Sequence, residues 1–314
     1  MPERASESPA KSVWLTIGTF DGVHLGHQAV IGRLVRGAHF QNKLAVVVTF
    51  FPHPGEILRG LNGPYYLSTP QERESMIKAL GVDEVITLNF TLEFAKKTAR
   101  EFIQNLHTQT PFSCILVGHD FRFGINREGD ISSLHQLGQE FNFEVQTITP
   151  QLLHDQVISS SAIRQLILSH EVRQASEMLG RWYSVSGEVV HGDGRGKHIG
   201  VPTANVDAWS RRLMPATGVY AARVEVDDQP HPAVLNIGSR PTFYFPPAEQ
   251  TIEVHLLDFH EDIYGKTIKV NFIDFIRLEK RFNSAEELMD QIRKDIQTTR
   301  EVLVHAPKTP YLPA

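Results

Sequence analysis

The sequence predicts a two-part α/β protein, a doubly wound parallel sheet followed by a small antiparallel β-barrel with a terminal helix. Three observations predict it. The 314 residues exceed what most single hydrophobic cores accommodate. Apolar strand runs and helix-spaced apolar patterns alternate through the first half, as they do where crossover helices join parallel strands. Beyond Trp182 the pattern changes to short β-rich runs punctuated by glycine, proline and Asp-Asp.

In order, VWLTI (13–17) is a short apolar strand, and residues 27–40 carry Val30, Ile31, Leu34, Val35 and Ala38 at helical spacing. LAVVVTF (44–50) is continuously apolar, as a strand covered on both faces must be. Thr69-Pro70-Gln71-Glu72 supplies an N-cap, a proline at the first helical position and a capping-box glutamate, and this helix ends near Gly81. EVITLNF (84–90) reads as strand and 92–106 as helix, on the stripe Leu92, Ala95, Ala99, Phe102, Ile103 and Leu106. CILV (114–117) and FEVQTI (143–148) are strands flanking a helix over 133–141, and two helices follow over 160–168 and 171–179. SVSGEVV, GVYAARVEV, PAVLNI, TIEVHLLDF and IKVNFIDFIRL supply barrel strands, with a hairpin turn near Asp227-Asp228. Ser284-Ala285-Glu286-Glu287 caps a last helix whose stripe of Leu288, Ile292, Ile296, Thr299 and Leu303 should pack on the barrel. The expected limits are a disordered tail over 1–12, domains over 13–182 and 183–305, and a C-terminal tail over 306–314.

Bulk properties exclude several classes. No run approaches the roughly 20 apolar residues of a membrane span, and the polar start MPERASESPAKS lacks the apolar core of a secretory signal. The only cysteine, Cys114, lies in the apolar run SCILV, so no intrachain disulfide forms and a buried strand position is expected. A cytoplasmic protein follows. The net charge of -5 argues against broad nucleic-acid or membrane binding, while leaving room for a local basic pocket. The sequence sets no oligomeric state.

The first candidate site is GTFDGVHLGHQAV (18–30), a glycine-bearing turn between a buried strand and a helix. This places His24 and His27 at the carboxyl end of the first strand, where open α/β sheets bind ligands. Unpaired helix N–H groups favour an anion there, and Gly22 and Gly26 allow its close approach. A capped turn with one surface histidine explains either histidine alone but not the constellation. His-x-x-His without a third ligand or a nearby cysteine argues against zinc.

These residues carry a resemblance. HLGH resembles the HxGH signature of the nucleotidyltransferase superfamily, and GTFDGVHLGHQ resembles its prokaryotic FAD synthetase version. TFFPHP (49–54), VGHDFRFGINREGD (117–130) and ISSSAIR (158–164) are similar to three further motifs of that family. The resemblance implies a Rossmann-like nucleotidyltransferase domain. Gly18, Phe20, Asp21, Gly26, Ser160, Ser161 and Arg164 would bind ATP, with His24 and His27 stabilising its phosphates during adenylyl transfer. His53, Asp120, Arg122 and Arg127 would lie at the flavin or nucleotide end. An arginine one turn beyond serine hydroxyls is a chemically apt triphosphate clamp; taken alone, SSSAIR is a serine-capped helix. Phe51 and His119 depart from the residues usual at their places.

The second candidate site is VVHGDGRGKHIGVPTANV (189–206), a loop dense in glycine and positive charge. Gly192, Gly194, Gly196 and Gly200 expose backbone N–H groups, and Arg195 and Lys197 add charge suited to polyphosphate. A flexible surface hairpin explains the composition equally well. Pro202-Thr203-Ala204-Asn205 then matches the P-T-A-N signature of riboflavin kinases. NIGSRPTF (236–243), TIEVHLLDF (251–259) and IYGKTIKVNFIDFIRLEKRF (263–282) continue that resemblance. It implies a riboflavin-kinase-type barrel with Glu253 as general base, the glycine loop and Pro202 on ATP, and Thr203 and Asn205 on Mg2+ bound to the ATP phosphates. Val201 stands where phenylalanine is frequent.

Together the motifs span residues 13–304 and resemble the prokaryotic bifunctional riboflavin kinase/FAD synthetases. The implied substrates are riboflavin, FMN and ATP, the products FMN and FAD, and the metal Mg2+. Two alternatives are a chain with one activity retained and a nonenzymatic flavin- or nucleotide-binding regulator on the same scaffold. Retention of Glu253 and both histidines weighs against the regulator, because a binder needs no base.

Overall fold

The computed structural model describes residues 12–61, 63–192, 200–239 and 250–307. Its contacts form two compact units. One runs up to Asn62 and resumes over Pro70–Ile158; the other takes Gly63–Thr69 and continues from Ser159.

In the first unit, β1 (Val13–Ile17), β2 (Leu44–Phe51), β3 (Glu84–Asn89), β4 (Phe112–Gly118) and β5 (Glu144–Ile148) form one parallel sheet in the order β3-β2-β1-β4-β5. The order reverses beside β1, so the crevice of this doubly wound sheet opens at the carboxyl end of β1. Strand alternation divides the core in two. Leu15, Val46, Val48, Ile115 and Val117 face Phe102, Ile103 and Leu106 of α4 (Ala99–Gln109) and Leu134 and Leu137 of α5 (Ile131–Phe141). Trp14, Ala45, Val47, Cys114 and Leu116 face Ile31, Leu34 and Ala38 of α1 (Leu25–Phe40) and Ile77 of α3 (Pro70–Ala79). Covering both faces explains the unbroken apolar runs.

Some local expectations shift. The first helix begins at Leu25, two residues early, because His24 itself is its N-cap. A short helix, α2 (Pro54–Arg59), follows β2 with His53 as cap. The 92–106 helix divides into a 3-10 turn (Phe94–Lys96) and α4. Thr98 and Glu101 close a reciprocal capping box there, which starts the helix later and leaves Leu92 exposed. A small hairpin of β6 (Leu152–Leu153) and β7 (Gln156–Val157) completes the unit.

The second unit contains α6 (Ser160–Leu168), α7 (Val172–Leu179) and a closed antiparallel barrel. Its strands are β8 (Tyr183–Val190), β9 (Ala204–Ala208), β10 (Gly218–Val226), β11 (Gln229–Ser239), β12 (Gln250–Leu256) and β13 (Thr267–Arg277). They close in the order β10-β11-β12-β9-β8-β13. Asp227 and Asp228, at φ 48° and 61°, form the two-residue turn of the β10–β11 hairpin, where both central residues need positive φ. The terminal helix (Ala285–His305) packs on β10, β11 and β13; of its expected stripe Thr299 is buried and Leu288, Ile292, Ile296 and Leu303 are half-buried. Asp295 within that stripe takes a forked ion pair from Arg277 of β13 at 2.7–3.1 Å. Arg223 of β10 donates to the carbonyls of Leu303, Ala306 and Pro307, closing the helix end.

Candidate functional site

At the carboxyl end of β1 the chain turns through Gly18–Val23 into α1. The His24 Nδ1 accepts the His27 N–H at 3.3 Å, so His24 satisfies one of the first-turn donors of α1. A nitrogen that accepts carries no hydrogen, which places the His24 ring hydrogen on Nε2. The two imidazoles stack with centroids 3.6 Å apart, and the Phe20 ring meets His27 edge-on at 5.1 Å. Gly18 and Gly26 make this possible: an added Cβ would sit 3.0 Å from the Phe20 ring at the first and 3.1 Å from His24 Nδ1 at the second. Asp21 is fully buried.

The other predicted residues of this unit lie on the sheet's following loops. The His53 Nδ1 accepts the Gly55 N–H at 3.0 Å and is fixed as the cap of α2. After β4, residues 119–130 form a compact loop tied by paired Phe123–Gly129 backbone bonds. Gly124, at φ 74°, packs so closely on α4 that a Cβ would lie 2.6 Å from the Ala99 nitrogen. Arg122 pairs with Asp130 at 3.2 Å, whereas Asp120 is exposed, with His119 as its near neighbour at 3.8 Å. The Ser133 backbone N–H, and secondarily the Ser133 hydroxyl and Arg122, hold the Asp130 carboxyl below the usual range. Arg127 is exposed at φ 60°.

Ser160, Ser161 and Arg164 belong to the second unit by contact. Ser159 is the cap of α6, accepting from the Ala162 N–H at 3.2 Å, and Ser160 and Ser161 occupy the first two helical positions. Arg164 is buried, donates from Nε to the Tyr65 carbonyl at 2.9 Å, and lies 3.8 Å over the Tyr65 ring.

On the barrel, Ile252, Val254 and Leu256 point inward and Thr251, Glu253 and His255 point outward, half-exposed. Glu253 stands directly between Asn205 on β9 and Asn236 on β11 in the strand register. Cross-strand partners bring their Cβ atoms within about 5 Å, so the three polar side chains form one row. Gly192 faces this row so tightly that a Cβ would lie 2.1 Å from Asn205 Nδ2. The His255 Nδ1–H donates to the Pro202 carbonyl at 2.8 Å, fastening the segment that carries Thr203. Gly200 turns at φ 75°; Gly194, Arg195, Gly196 and Lys197 lie outside the described residues. Among the described residues no cluster of three histidine, cysteine or acidic side chains could hold a metal. Thr203 and Asn205 offer neutral, hard oxygens, a donor set that fits Mg2+ arriving on a nucleotide rather than a resident ion. Sequence reasoning missed Asn236 and His255. Asn236 was visible inside NIGSRPTF, but its place beside Glu253 is a matter of register.

Family models match in the same order: an FAD synthetase model over residues 6–162 and a riboflavin kinase model over 179–303. The bifunctional riboflavin kinase/FMN adenylyltransferase of Escherichia coli strain K12 is 40% identical over 301 residues, covering 94% of each chain. The chain belongs to this family. The Bacillus subtilis strain 168 member is 38% identical over 295 residues, covering 93% of this chain and 92% of its own. A solved structure described as a macrolide-efflux protein from Streptococcus pneumoniae superposes with a TM-score of 0.84 at 36% identity, over 93% of this chain and 95% of that one. No helix among the described residues is long and apolar enough to cross a membrane. As a family member the chain joins a kinase barrel to an adenylyltransferase sheet, and the candidate residues of each half lie on their own unit, α6 excepted.

Proposed function

We propose that the chain phosphorylates riboflavin to FMN on the barrel and adenylylates FMN to FAD on the parallel sheet, one ATP being used in each step. The observation that supports the kinase assignment is the pairing of Glu253 with Asn205, which sets a carboxylate beside an amide oxygen suited to a nucleotide-borne cation. Glu253 accepts the proton of the riboflavin primary hydroxyl as its oxygen attacks the γ-phosphorus, and ADP leaves. Thr203 and Asn205 would hold the Mg2+ carried by ATP, which would supply neutralisation of the phosphate charge. Gly192–Gly200 and Pro202 line the nucleotide.

In the second step an FMN phosphate oxygen attacks the α-phosphorus of ATP and pyrophosphate leaves. No base is needed, because the nucleophile is already ionised. His24 and His27 donate to the phosphates at the mouth of α1, where the helix dipole adds to the effect. Gly18, Phe20, Asp21 and Gly26 shape the nucleotide pocket, and Ser160, Ser161 and Arg164 grip the triphosphate. His53, Asp120, Arg122 and Arg127 serve the flavin or nucleotide end. The domains of this reading run over 13–182 and 183–305, and the enzyme works in the cytoplasm without nucleic-acid or membrane partners.

The test is flavin chromatography after incubation with riboflavin, ATP and Mg2+. Glu253→Gln is expected to stop FMN formation while still converting supplied FMN to FAD, and His27→Ala to stall at FMN. Equal loss of both steps from Glu253→Gln in a folded protein would refute the two-site assignment.

A further inference from the structure

The turn that presents His24 and His27 is held in a conformation its residues resist. Phe20 and Val23 lie at φ 47° and 37°, and a β-branched residue at positive φ is a genuine outlier. Both are buried, at 3% and 2% exposure. The turn closes through the Val23 N–H on the Phe20 carbonyl at 3.0 Å. Such a geometry persists only where its surroundings over-determine it.

Three side chains from outside the turn do so. Arg73 of α3 is 2% exposed and among the largest fully buried side chains of the protein. Its Nη1 donates to the Thr19 carbonyl and its Nη2 to the Phe50 carbonyl, both at 3.1 Å, pinning the carboxyl ends of β1 and β2 together. The Thr49 hydroxyl donates to the same Thr19 carbonyl at 3.1 Å. On the other side, Gln28 Nε2 of α1 donates to the Val23 carbonyl at 2.9 Å. Thr19 directly precedes Phe20, whose ring abuts His27, and His27 stacks on His24. The chain of contact therefore runs from Arg73 through Thr19 and Phe20 to the His27 ring.

We infer that Arg73 and Gln28 are positioning residues for adenylyl transfer, holding the strained Thr19–Val23 turn so that Phe20 fixes the plane of His27. This rests on the reading of His27 as a phosphate donor. Burying a guanidinium costs solvation, and a fixed donor array at the transition state is what that burial would secure. Displacing a catalytic group by about 1 Å costs on the order of 100-fold in rate.

The experiment uses the full chain, with its kinase activity as an internal control. Arg73→Met and Gln28→Met are expected to lower kcat for FMN adenylylation about 10- to 100-fold, with KM for FMN and ATP within about twofold and riboflavin phosphorylation unchanged. Arg73→Lys, which retains the charge and one donor, should recover part of the loss, and Gln28→Glu, which lacks the donor, should recover none. The decisive measurement is a cycle with His27→Asn: if Arg73 and Gln28 act through His27, each Met substitution costs less than about threefold in that background. Equal losses in both backgrounds, or an adenylylation loss matched by the kinase, overturn the inference. Should Arg73→Met fail to fold, the Gln28 variants decide it in the same cycle. If His27→Asn alone leaves adenylylation intact, the phosphate-donor reading falls and this inference with it, a result distinct from additivity.

Discussion

Single residues here are constrained by what lies within an ångström or two of them. At Gly192 a Cβ would lie 2.1 Å from the Asn205 amide. Gly192→Ala is therefore expected to displace Asn205 and raise the kinase KM for ATP several-fold while leaving FMN adenylylation unaltered, which steady-state assays of both steps will show. Cys114 is the opposite case, a residue defined by isolation. Burial, aided by the charge of Glu144, pushes its thiol up to about 12, so thiolate is essentially absent at neutral pH. Titration with an aromatic disulfide reagent should find no reactive thiol in the native protein and one after unfolding. Reading the sequence placed Cys114 correctly because an apolar run states burial directly. It passed over Asn236 and His255 because nothing in their own neighbourhoods says which strands will flank β12.

At the scale of elements, local chemistry was legible wherever a signal closes on itself. The Ser284 cap, the Asp227-Asp228 turn and the buried β1 and β2 runs all stand where their sequences put them. The segment 92–106 was misjudged at its start, since an apolar stripe continues in the sequence across a capping box that ends it in space. The terminal helix shows a second kind of gap. Its apolar stripe was evident, but its docking depends also on Asp295, a polar residue buried within the stripe and forked to Arg277. Asp295→Ala leaves that arginine unpaired in a largely dry site and should destabilise the protein by about 3 kcal/mol. Chemical denaturation monitored by circular dichroism will measure it.

Across the whole molecule, two reactions sharing an intermediate are assigned to separate constellations. If FMN made on the barrel is released into solution, two crippled chains should cooperate. A mixture of Glu253→Gln and His27→Ala proteins is expected to make FAD from riboflavin, with a lag that shortens as either protein is raised; chromatography over time reads it. No FAD from the mixture, with each variant retaining its own step, would mean that FMN passes only within one chain.

By itself the sequence determined the fold class and the order of the two halves, and it named the candidate residues of both sites. Periodicity, caps and motifs are properties of neighbouring residues, and they survive being read along a line. What only the tertiary structure decided is which distant residues meet. Gly63–Thr69, from the middle of the first half's sequence, groups with the barrel, where Tyr65 holds Arg164. Glu253 acquires its two flanking asparagines through strand register. Arg73, unremarkable as one cation on an exposed-looking helix, becomes the buried clasp beneath the histidine turn. The physical reason is the same in each case: hydrogen bonds and cross-strand pairs join groups by position in space, and the chain folds back on itself to bring distant residues there.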